Sequence, residues 1–250
     1  MRIAGIIPAR YASSRLPGKP LKLIGDTSLV MRVFQQASKS KSLTEVFVAT
    51  DDKRIFDHVT ENGGKALLTS AKHQSGTERC NEAVRLMSQE FDYVINIQGD
   101  EPFIDPEQID QLASICDGQT QIATLVKQIT EIGELEDAHI PKVVLTDDDS
   151  AIYFSRSPVP YFRGKKLSDW PGSGSYYKHI GIYAYRKDIL ATISELQPSR
   201  IEIMEQLEQL RWLSNGFKIR TMKTELEGIS VDTEEDLNRA IQFLSVFEKG

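Results

Sequence analysis

The first half of the chain alternates between short apolar runs and stretches with apolar residues at helical spacing. Residues 3–7, 46–50 and 93–98 are largely apolar runs, which predict buried strands. Residues 29–37 carry apolar side chains three and four positions apart, which predicts an amphipathic helix. Asp105 and Pro106 predict the start of another helix, because Asp is a favoured N-cap and Pro a favoured first residue. The alternation predicts an α/β fold whose mixed, mainly parallel sheet has helices on both faces.

The middle of the chain has a different pattern, with several strand-like runs and few residues at helical spacing. The strand-like runs are residues 122–127, 142–146, 151–154 and 179–185, interrupted by turn-rich segments at 157–160 and 170–175. We therefore predict one domain over residues 1–250, with a β-rich excursion at about residues 136–185.

The last part of the chain returns to strand and helix patterns. Residues 200–213 predict one helix, residues 218–222 a strand, and Thr233 with Asp236 the capped start of a closing helix. The predicted polar face of the first of these helices carries Glu205, Glu208, Gln209 and Trp212, and its predicted buried face carries Ile203, Leu207 and Leu210.

Composition and charge narrow the class of protein. The chain has 250 residues, 40% hydrophobic and 26% charged, with a net charge of −6. This charge argues against a nucleic-acid partner, because affinity for the phosphate backbone needs clustered cations. No apolar run approaches the roughly 20 residues of a membrane span, and no signal pattern follows Met1, so we expect no membrane partner and a cytoplasmic location. Cys80 and Cys116 form no CxxC pair and are expected to be reduced thiols.

The loop after the first predicted strand is the clearest candidate for a binding site. Arg10, Arg15 and Lys19 lie within it, together with Ser13. Cations, hydroxyl groups and free backbone N–H groups after a strand suit a polyphosphate. The loop matches neither a Walker motif nor a GxGxxG turn. The alternative interpretation is a solvated basic loop.

Two further segments follow predicted strands or begin predicted helices. Asp100 follows the run at 93–98 and could hold Mg²⁺ against phosphate oxygens, although a plain turn is the alternative. The chain has no zinc motif, so a metal is expected to be a hard ion on oxygen ligands. Residues 75–79 begin a predicted helix whose N-terminal N–H groups suit a phosphate, a ribose or a base carbonyl. The acidic run at 147–149 is expected to be a solvated turn.

Seven short blocks, in order along the chain, carry a resemblance to a known family. They are Pro8-Ala-Arg-x-x-Ser-x-Arg-Leu-Pro-x-Lys-Pro20, Ser75-Gly-Thr-Glu-Arg79, Gln98-Gly-Asp-Glu-Pro102, Tyr153-Phe-Ser-Arg156, His179-Ile-Gly-Ile-Tyr183, Leu207-Glu-Gln-Leu-Arg211 and Val231-Asp-Thr233. Together they resemble the cytidylyltransferases that activate acidic sugars with CTP, and most closely those that activate 3-deoxy-manno-octulosonate (Kdo). The resemblance covers residues 6 to about 240.

The resemblance implies a Rossmann-like nucleotidyltransferase fold, a homodimer formed partly by the excursion, and transfer of a cytidylyl group to Kdo for lipopolysaccharide biosynthesis. It implies that Arg10, Arg15 and Lys19 hold the triphosphate and, with Asp100, act in catalysis. The implied nucleotide contacts are Ala9, Arg10, Ser13, Ser75, Gly76, Thr77 and Arg79, and the implied sugar contacts are Gln98, Arg156, His179, Tyr183, Glu208 and Gln209. Asp100 and Asp232 are the implied Mg²⁺ ligands. Glu234 stands where the family usually has Pro, which leaves the aspartate unchanged.

Two other functions stay open from the sequence. The acidic sugar could be an 8-amino derivative of Kdo or a sialic acid. The chain could also be a non-catalytic sensor of nucleotide sugars, although both aspartates and all three cations are present. For Asp232, a helix-start charge is the alternative to a metal ligand.

Overall fold

The computed structural model describes residues 1–13, 15–174 and 176–247, so Ser175 of the predicted turn region lies outside the described residues. The strands are β1 (Ile3–Ala9), β2 (Leu23–Ile24), β3 (Thr27–Ser28), β4 (Glu45–Thr50), β5 (Ala66–Leu68), β6 (Tyr93–Asn96), β7 (Ile122–Gln128), β8 (Lys142–Leu145), β9 (Ala151–Ser155), β10 (Tyr177–Arg186) and β11 (Ile219–Lys223). The α-helices are α1 (Leu29–Ala37), α2 (Lys53–Glu61), α3 (Gly76–Leu86), α4 (Pro106–Ser114), α5 (Ile132–Glu136), α6 (Lys187–Ile193), α7 (Arg200–Glu205), α8 (Gln209–Ser214) and α9 (Glu234–Phe247).

The central sheet is mixed and mainly parallel, as predicted. Its strand order is β11-β7-β10-β6-β1-β4-β5. Only β10 runs antiparallel to its neighbours β6 and β7 within this order. Strand β1 pairs in parallel with both β4 and β6, so the loops that follow these three strands leave the sheet at the same edge.

Helices cover both faces of the sheet because successive residues of each strand point to opposite sides. Ile7 packs on one face against α1, α2, α4 and α9. Its neighbour Ile6 packs on the other face against α3, α6 and α8. Strands β1 and β6 are therefore buried on both sides, which explains why they are nearly continuous apolar runs in the sequence.

Part of the predicted excursion belongs to the central sheet. Residues 136–185 are β-rich, as predicted, but β10 lies between β6 and β7 rather than outside the sheet. The β8–β9 hairpin extends from the start of β10, through pairing of Tyr177 with Val143. The excursion is thus limited to the hairpin and the segment before β10. The sequence pattern failed here because a strand-like run does not reveal which strands it will pair with.

The prediction of a single helix over residues 200–213 is wrong. Helices α7 and α8 are separated at Gln206, whose φ of +52° places it in the left-handed region. The break rotates α8 relative to α7, so the predicted faces do not continue across it. Trp212 is 1% exposed although it was predicted on the polar face, and Ile203 is 59% exposed although it was predicted to be buried.

None of the helices in the described part of the chain has both the length and the apolar composition needed to cross a membrane. The acidic run at 147–149 forms the turn of the β8–β9 hairpin, as predicted, and Asp149 pairs with Lys223 at 2.8 Å.

The buried ion pair that joins α7 to α8 should contribute strongly to stability. Arg211 donates to both carboxylate oxygens of Glu202, at 2.6 and 2.9 Å, and this hydrogen bonding raises the pKa of Arg211. We expect Arg211→Met to lower the free energy of unfolding by about 3 kcal/mol, because Glu202 would keep a buried, unpaired charge. Urea unfolding measures this loss.

The matched control is Arg220→Met, which removes a partner of Asp117 at 2.9 Å in a pair that is about half exposed. Its loss should stay below about 1 kcal/mol. Equal losses in the two variants would contradict the special contribution of the buried pair.

Candidate functional site

A polar cavity lies at the edge of the sheet where β1 and β6 end and α3 begins. Its volume is about 380 Å³, within the range of small-molecule sites. The predicted site residues that line it are Ala9, Arg10, Ser13, Arg15, Lys19, Ser75, Gly76, Thr77, Arg79, Gln98, Asp100, Tyr183, Glu208 and Asp232. The structure therefore brings together residues from both the predicted nucleotide site and the predicted sugar site.

The loop after β1 is folded so that its cations reach the cavity. The Leu16 N–H donates to Ser13 Oγ at 3.3 Å, and the Gly18 N–H donates to the Tyr11 carbonyl at 3.1 Å. Gly18 has a φ of +68°, a conformation that glycine adopts without strain, and it precedes a 3₁₀ turn at Lys19–Leu21. These turns direct the Lys19 side chain inward, and it is only 15% exposed.

The segment after β6 packs directly on the end of β1. A Cβ atom on Gly99 would lie 2.6 Å from the Pro8 carbonyl oxygen, so only glycine allows this approach. Asp100 follows at once, and its carbonyl accepts a hydrogen bond from the Val231 N–H at 2.8 Å. Two segments far apart in sequence are thus joined, and Asp232 lies beside Asp100.

Lys19 connects the two aspartates. Its Nζ atom donates to Asp100 Oδ2 at 3.1 Å and to Asp232 Oδ1 at 2.9 Å. Arg15 Nη2 donates to the other oxygen of Asp232 at 3.0 Å. Two cations from the first loop therefore neutralise the two carboxylates.

The helix after Asp232 holds this aspartate through a reciprocal cap. Asp236 accepts hydrogen bonds from the N–H groups of Asp232 and Thr233 at 3.0 and 2.9 Å, and Thr233 Oγ1 accepts from the Asp236 N–H. Burial acts to raise the pKa of Asp236, but bonds from Arg239, Thr233 and these N–H groups outweigh it and lower the pKa to about 2. The cap is therefore charged at neutral pH.

The donor set of the two aspartates fits Mg²⁺. One oxygen from each carboxylate lies 3.1 and 2.9 Å from a single atom, Lys19 Nζ, so the pair is close enough to share a cation. Among the described residues, no group of three or more His, Cys, Asp or Glu side chains could hold a metal. A cation here would thus take its other ligands from phosphate and water, which is usual for Mg²⁺.

The start of α3 links the nucleotide side of the cavity to the sugar side. Ser75 caps the helix by accepting from the Glu78 N–H at 3.3 Å. Thr77 Oγ1 donates to Glu208 Oε2 at 3.0 Å, just before α8 begins. Burial raises the pKa of Glu208, although bonds from Ser75 and Thr77 act in the other direction. The first turn of α3 is thus bonded directly to the half-buried carboxyl of Glu208.

Arg79 lines the cavity but is held by its own neighbours. It is 4% exposed, donates to Thr69 Oγ1 at 2.6 Å and lies 3.4 Å from Asp51 Oδ2. Its guanidinium therefore fixes the segment after β4 and β5 against α3.

Gln98 and Tyr183 meet at an irregularity in β10. Gln98 Nε2 donates to the Gly181 carbonyl at 2.7 Å, where the β10–β7 register shifts between Ile180 and Tyr183. Such irregularities often redirect side chains at active sites. Here the shift places the Tyr183 ring in the cavity.

Three of the predicted sugar contacts do not line this cavity. Arg156 donates to the carbonyls of Glu205 and Ala138 at 2.6 and 2.8 Å, and Gln209 is 5% exposed within α8. His179 lies behind Tyr183, with ring centroids 5.0 Å apart, and burial lowers its pKa to about 3. The imidazole is therefore neutral near pH 7.

Sequence reasoning missed four cavity residues with polar side chains, namely His73, Gln74, Asn96 and Tyr185. For two of them a signal was present. Asn96 is a polar residue at the end of an otherwise apolar strand. Tyr185 lies two positions after Tyr183 and therefore on the same face of a strand. No comparable pattern marked His73 or Gln74.

Known proteins are similar in sequence to this chain over nearly their whole length. A family profile described as Cytidylyltransferase matches residues 4–221. The 3-deoxy-manno-octulosonate cytidylyltransferase of Parabacteroides distasonis is 48% identical over 98% of this chain and 99% of its own length. The 8-amino-3,8-dideoxy-manno-octulosonate cytidylyltransferase of Shewanella pealeana is 42% identical over 95% of this chain and 96% of its own length.

A solved structure extends the similarity to three dimensions. It is described as CMP:2-keto-3-deoxy-manno-octonic acid synthetase complexed with CTP, and it matches with a TM-score of 0.90 at 39% identity, over 98% of this chain and 99% of its own. Because the profile, the full-length relatives and the fold agree on one family, the chain belongs to the cytidylyltransferases.

Proposed function

We propose that this protein transfers the cytidylyl group of CTP to Kdo, giving CMP-Kdo and diphosphate. The observation that carries the proposal is that one cavity holds the cationic loop, the two joined carboxylates and the α3 N-terminus, in a chain 48% identical to a Kdo cytidylyltransferase. The product would serve lipopolysaccharide biosynthesis. We place the enzyme in the cytoplasm, since Cys80 and Cys116 are both buried free thiols, as suits a reducing compartment.

The chemistry follows from how the residues are placed. The anomeric hydroxyl of the sugar attacks the α-phosphorus of CTP, a P–O bond forms, and the bond to the diphosphate breaks. Arg10, Arg15 and Lys19 neutralise the triphosphate and the departing diphosphate, while the N–H groups at the start of α3 bind the nucleotide. Catalysis of this kind consists mainly of positioning and charge neutralisation.

We propose that Asp100 and Asp232 hold Mg²⁺ when the substrates bind. The ion would supply Lewis-acid stabilisation of phosphate charge and lower the pKa of the attacking hydroxyl. Lys19 occupies the space between the two carboxylates in the structure described above, so it must move aside, which frees its ammonium for the phosphates. No protein base is needed, and His179, with a pKa of about 3, is a weak one.

We also propose a homodimer, on different grounds from those of the sequence. Trp170 and Tyr176, two large aromatic residues of the predicted excursion, are buried inside the chain with Ile129 and Leu135 and are not available to a partner. Apolar side chains are exposed instead on β9 and α7, where Ile152 is 54% and Met204 82% exposed. The two elements are joined by the Ser155–Glu205 hydrogen bond of 2.7 Å, so together they offer an apolar surface to a second copy.

The function is tested by measuring diphosphate release with a coupled pyrophosphatase. We expect release with CTP and Kdo, none without sugar, and a kcat/KM for CTP at least about 100-fold above that for ATP, because unpaired polar groups reject the wrong base. Faster turnover with 8-amino-Kdo or a sialic acid would assign the related activity. Binding of CTP without any release would indicate a sensor.

Lys19→Ala should have opposite effects on catalysis and on metal binding. Loss of the ammonium should lower kcat by about 100-fold or more, because a charge partner of the transition state is removed. The same change should raise the affinity of the nucleotide-free protein for Mn²⁺, used as a paramagnetic substitute for Mg²⁺, because the competing cation is gone. Electron paramagnetic resonance titration measures the second effect.

Two further variants sharpen the Lys19 test. Asp232→Asn should lower both kcat and Mn²⁺ affinity. Lys22→Ala removes a nearby lysine that is 40% exposed and 3.8 Å from Glu234, and it should change neither. Near-normal kcat in Lys19→Ala would contradict the catalytic role and leave Lys19 only as the structural partner of the two aspartates.

The dimer predicts a mass of two chains by light scattering at micromolar concentration. We expect Ile152→Asp combined with Met204→Asp to give the mass of one chain, because two charges would be buried in the interface. Leu86→Asp changes a side chain that is 50% exposed on α3 and should leave the dimer intact. A single-chain mass for the unmodified protein would refute the proposal.

A further inference from the structure

Asn96 is a buried polar residue with an unused acceptor in the wall of the cavity. It is the last residue of β6 and is 5% exposed. Its side-chain carbonyl, Oδ1, has no hydrogen-bond partner among the described residues. Buried carbonyl groups are rarely left unpaired, because their desolvation is not compensated. An unpaired one that lines a substrate cavity therefore points to a ligand.

The orientation of the Asn96 amide follows from its neighbours. Hydrogen bonding from the Asn96 side chain acts to lower the pKa of Tyr185, so the amide faces that hydroxyl, which in turn lies 3.4 Å from Thr77 Oγ1. Thr77 donates onward to Glu208. The Oδ1 atom, in contrast, has no partner among the described residues. It can only accept, so it selects a hydroxyl or amine donor and disfavours a carboxylate.

A second unpaired group lies next to it. Tyr183 is directly opposite Asn96 in the β10–β6 register, and its hydroxyl also has no partner among the described residues. Both residues line the cavity, and Gly76, at the start of α3, packs against the Asn96 amide. The pair thus offers two adjacent hydrogen-bonding positions between the predicted nucleotide and sugar sites.

We propose that Asn96 is a further substrate-binding residue, whose Oδ1 accepts a hydrogen bond from a hydroxyl group of the acidic sugar. This inference rests on the proposed function. It adds to that function a residue that binds a hydroxyl group of the sugar rather than the sugar's carboxylate. The sugar is favoured over the ribose of CTP because the neighbouring unpaired group, Tyr183, belongs to the sugar side.

The test compares Asn96→Leu with the unmodified enzyme. Leucine has a similar volume and no acceptor. It removes the unpaired carbonyl but also the contact of the amide with Tyr185, so the thermal melting temperature of the free protein should change little. The KM for Kdo at saturating CTP should rise about 10- to 100-fold, the effect of losing one buried hydrogen bond to substrate. The dissociation constant for CTP, from calorimetry, should change less than about threefold.

Gln108→Leu is the matched control. Gln108 also has a buried, unpaired side-chain carbonyl and is 1% exposed, but it does not line the cavity. Its replacement should leave the KM for Kdo unchanged. If Asn96→Leu does not fold, Asn96→Ala is used with the same expected change in KM.

The outcomes separate the alternatives. If the preference for CTP over 2′-deoxy-CTP disappears in Asn96→Leu while the KM for Kdo is unchanged, the acceptor binds the ribose and the inference is overturned. An unchanged KM for Kdo with a lower melting temperature would show a purely structural role and would also overturn it. If the unmodified protein releases no diphosphate with CTP and Kdo, the proposed function fails, and the inference fails with it.

Discussion

The site depends on the pairing of Lys19 with two aspartates that are far apart in the chain. Two carboxylates at one sheet edge repel each other, and Asp100 and Asp232 are brought together by the hydrogen bond from the Val231 N–H to the Asp100 carbonyl. The ammonium between them offsets that repulsion. The first loop, the segment after β6 and the start of α9 are therefore held as one unit. A substrate that brings its own cation would replace this internal pairing.

The sheet places the two halves of the cavity on either side of strand β6, which lies between β1 and β10. On one side, β1 ends in the cationic loop, and Gly99 allows the segment after β6 to touch the Pro8 carbonyl. On the other side, the antiparallel strand β10 sets Tyr183 opposite Asn96. The bond from Thr77 to Glu208 then connects α3 with α8 across the opening. Under the proposed function, the two substrates would therefore meet where β6 ends.

Much of the local structure was predictable because it depends on near neighbours in the sequence. The predictions of β1, of α1 and of the helix caps at Asp105 and Thr233 were correct. Burial on both faces of a sheet gives a continuous apolar run, and helix capping gives a recognisable set of residues. The prediction of one helix over residues 200–213 was wrong, because Gln206 adopts a left-handed conformation. A glycine would have indicated such a break in the sequence, and none is present there. Likewise, β10 looked like part of an excursion because strand pairing is decided by distant residues.

By itself, the sequence determined the fold class, the cationic loop and the position of Asp100 after a strand, because each rests on residue types and spacing within a short window. Its ordered motifs also indicated the family. Only the tertiary structure decided that Lys19 lies between the two aspartates and that Asn96 keeps an unpaired oxygen. It also left Arg156 and Gln209 out of the cavity lining. These facts depend on contacts between segments dozens to more than two hundred residues apart, and such contacts are set by how the strands pair and how the helices pack, which no local pattern encodes.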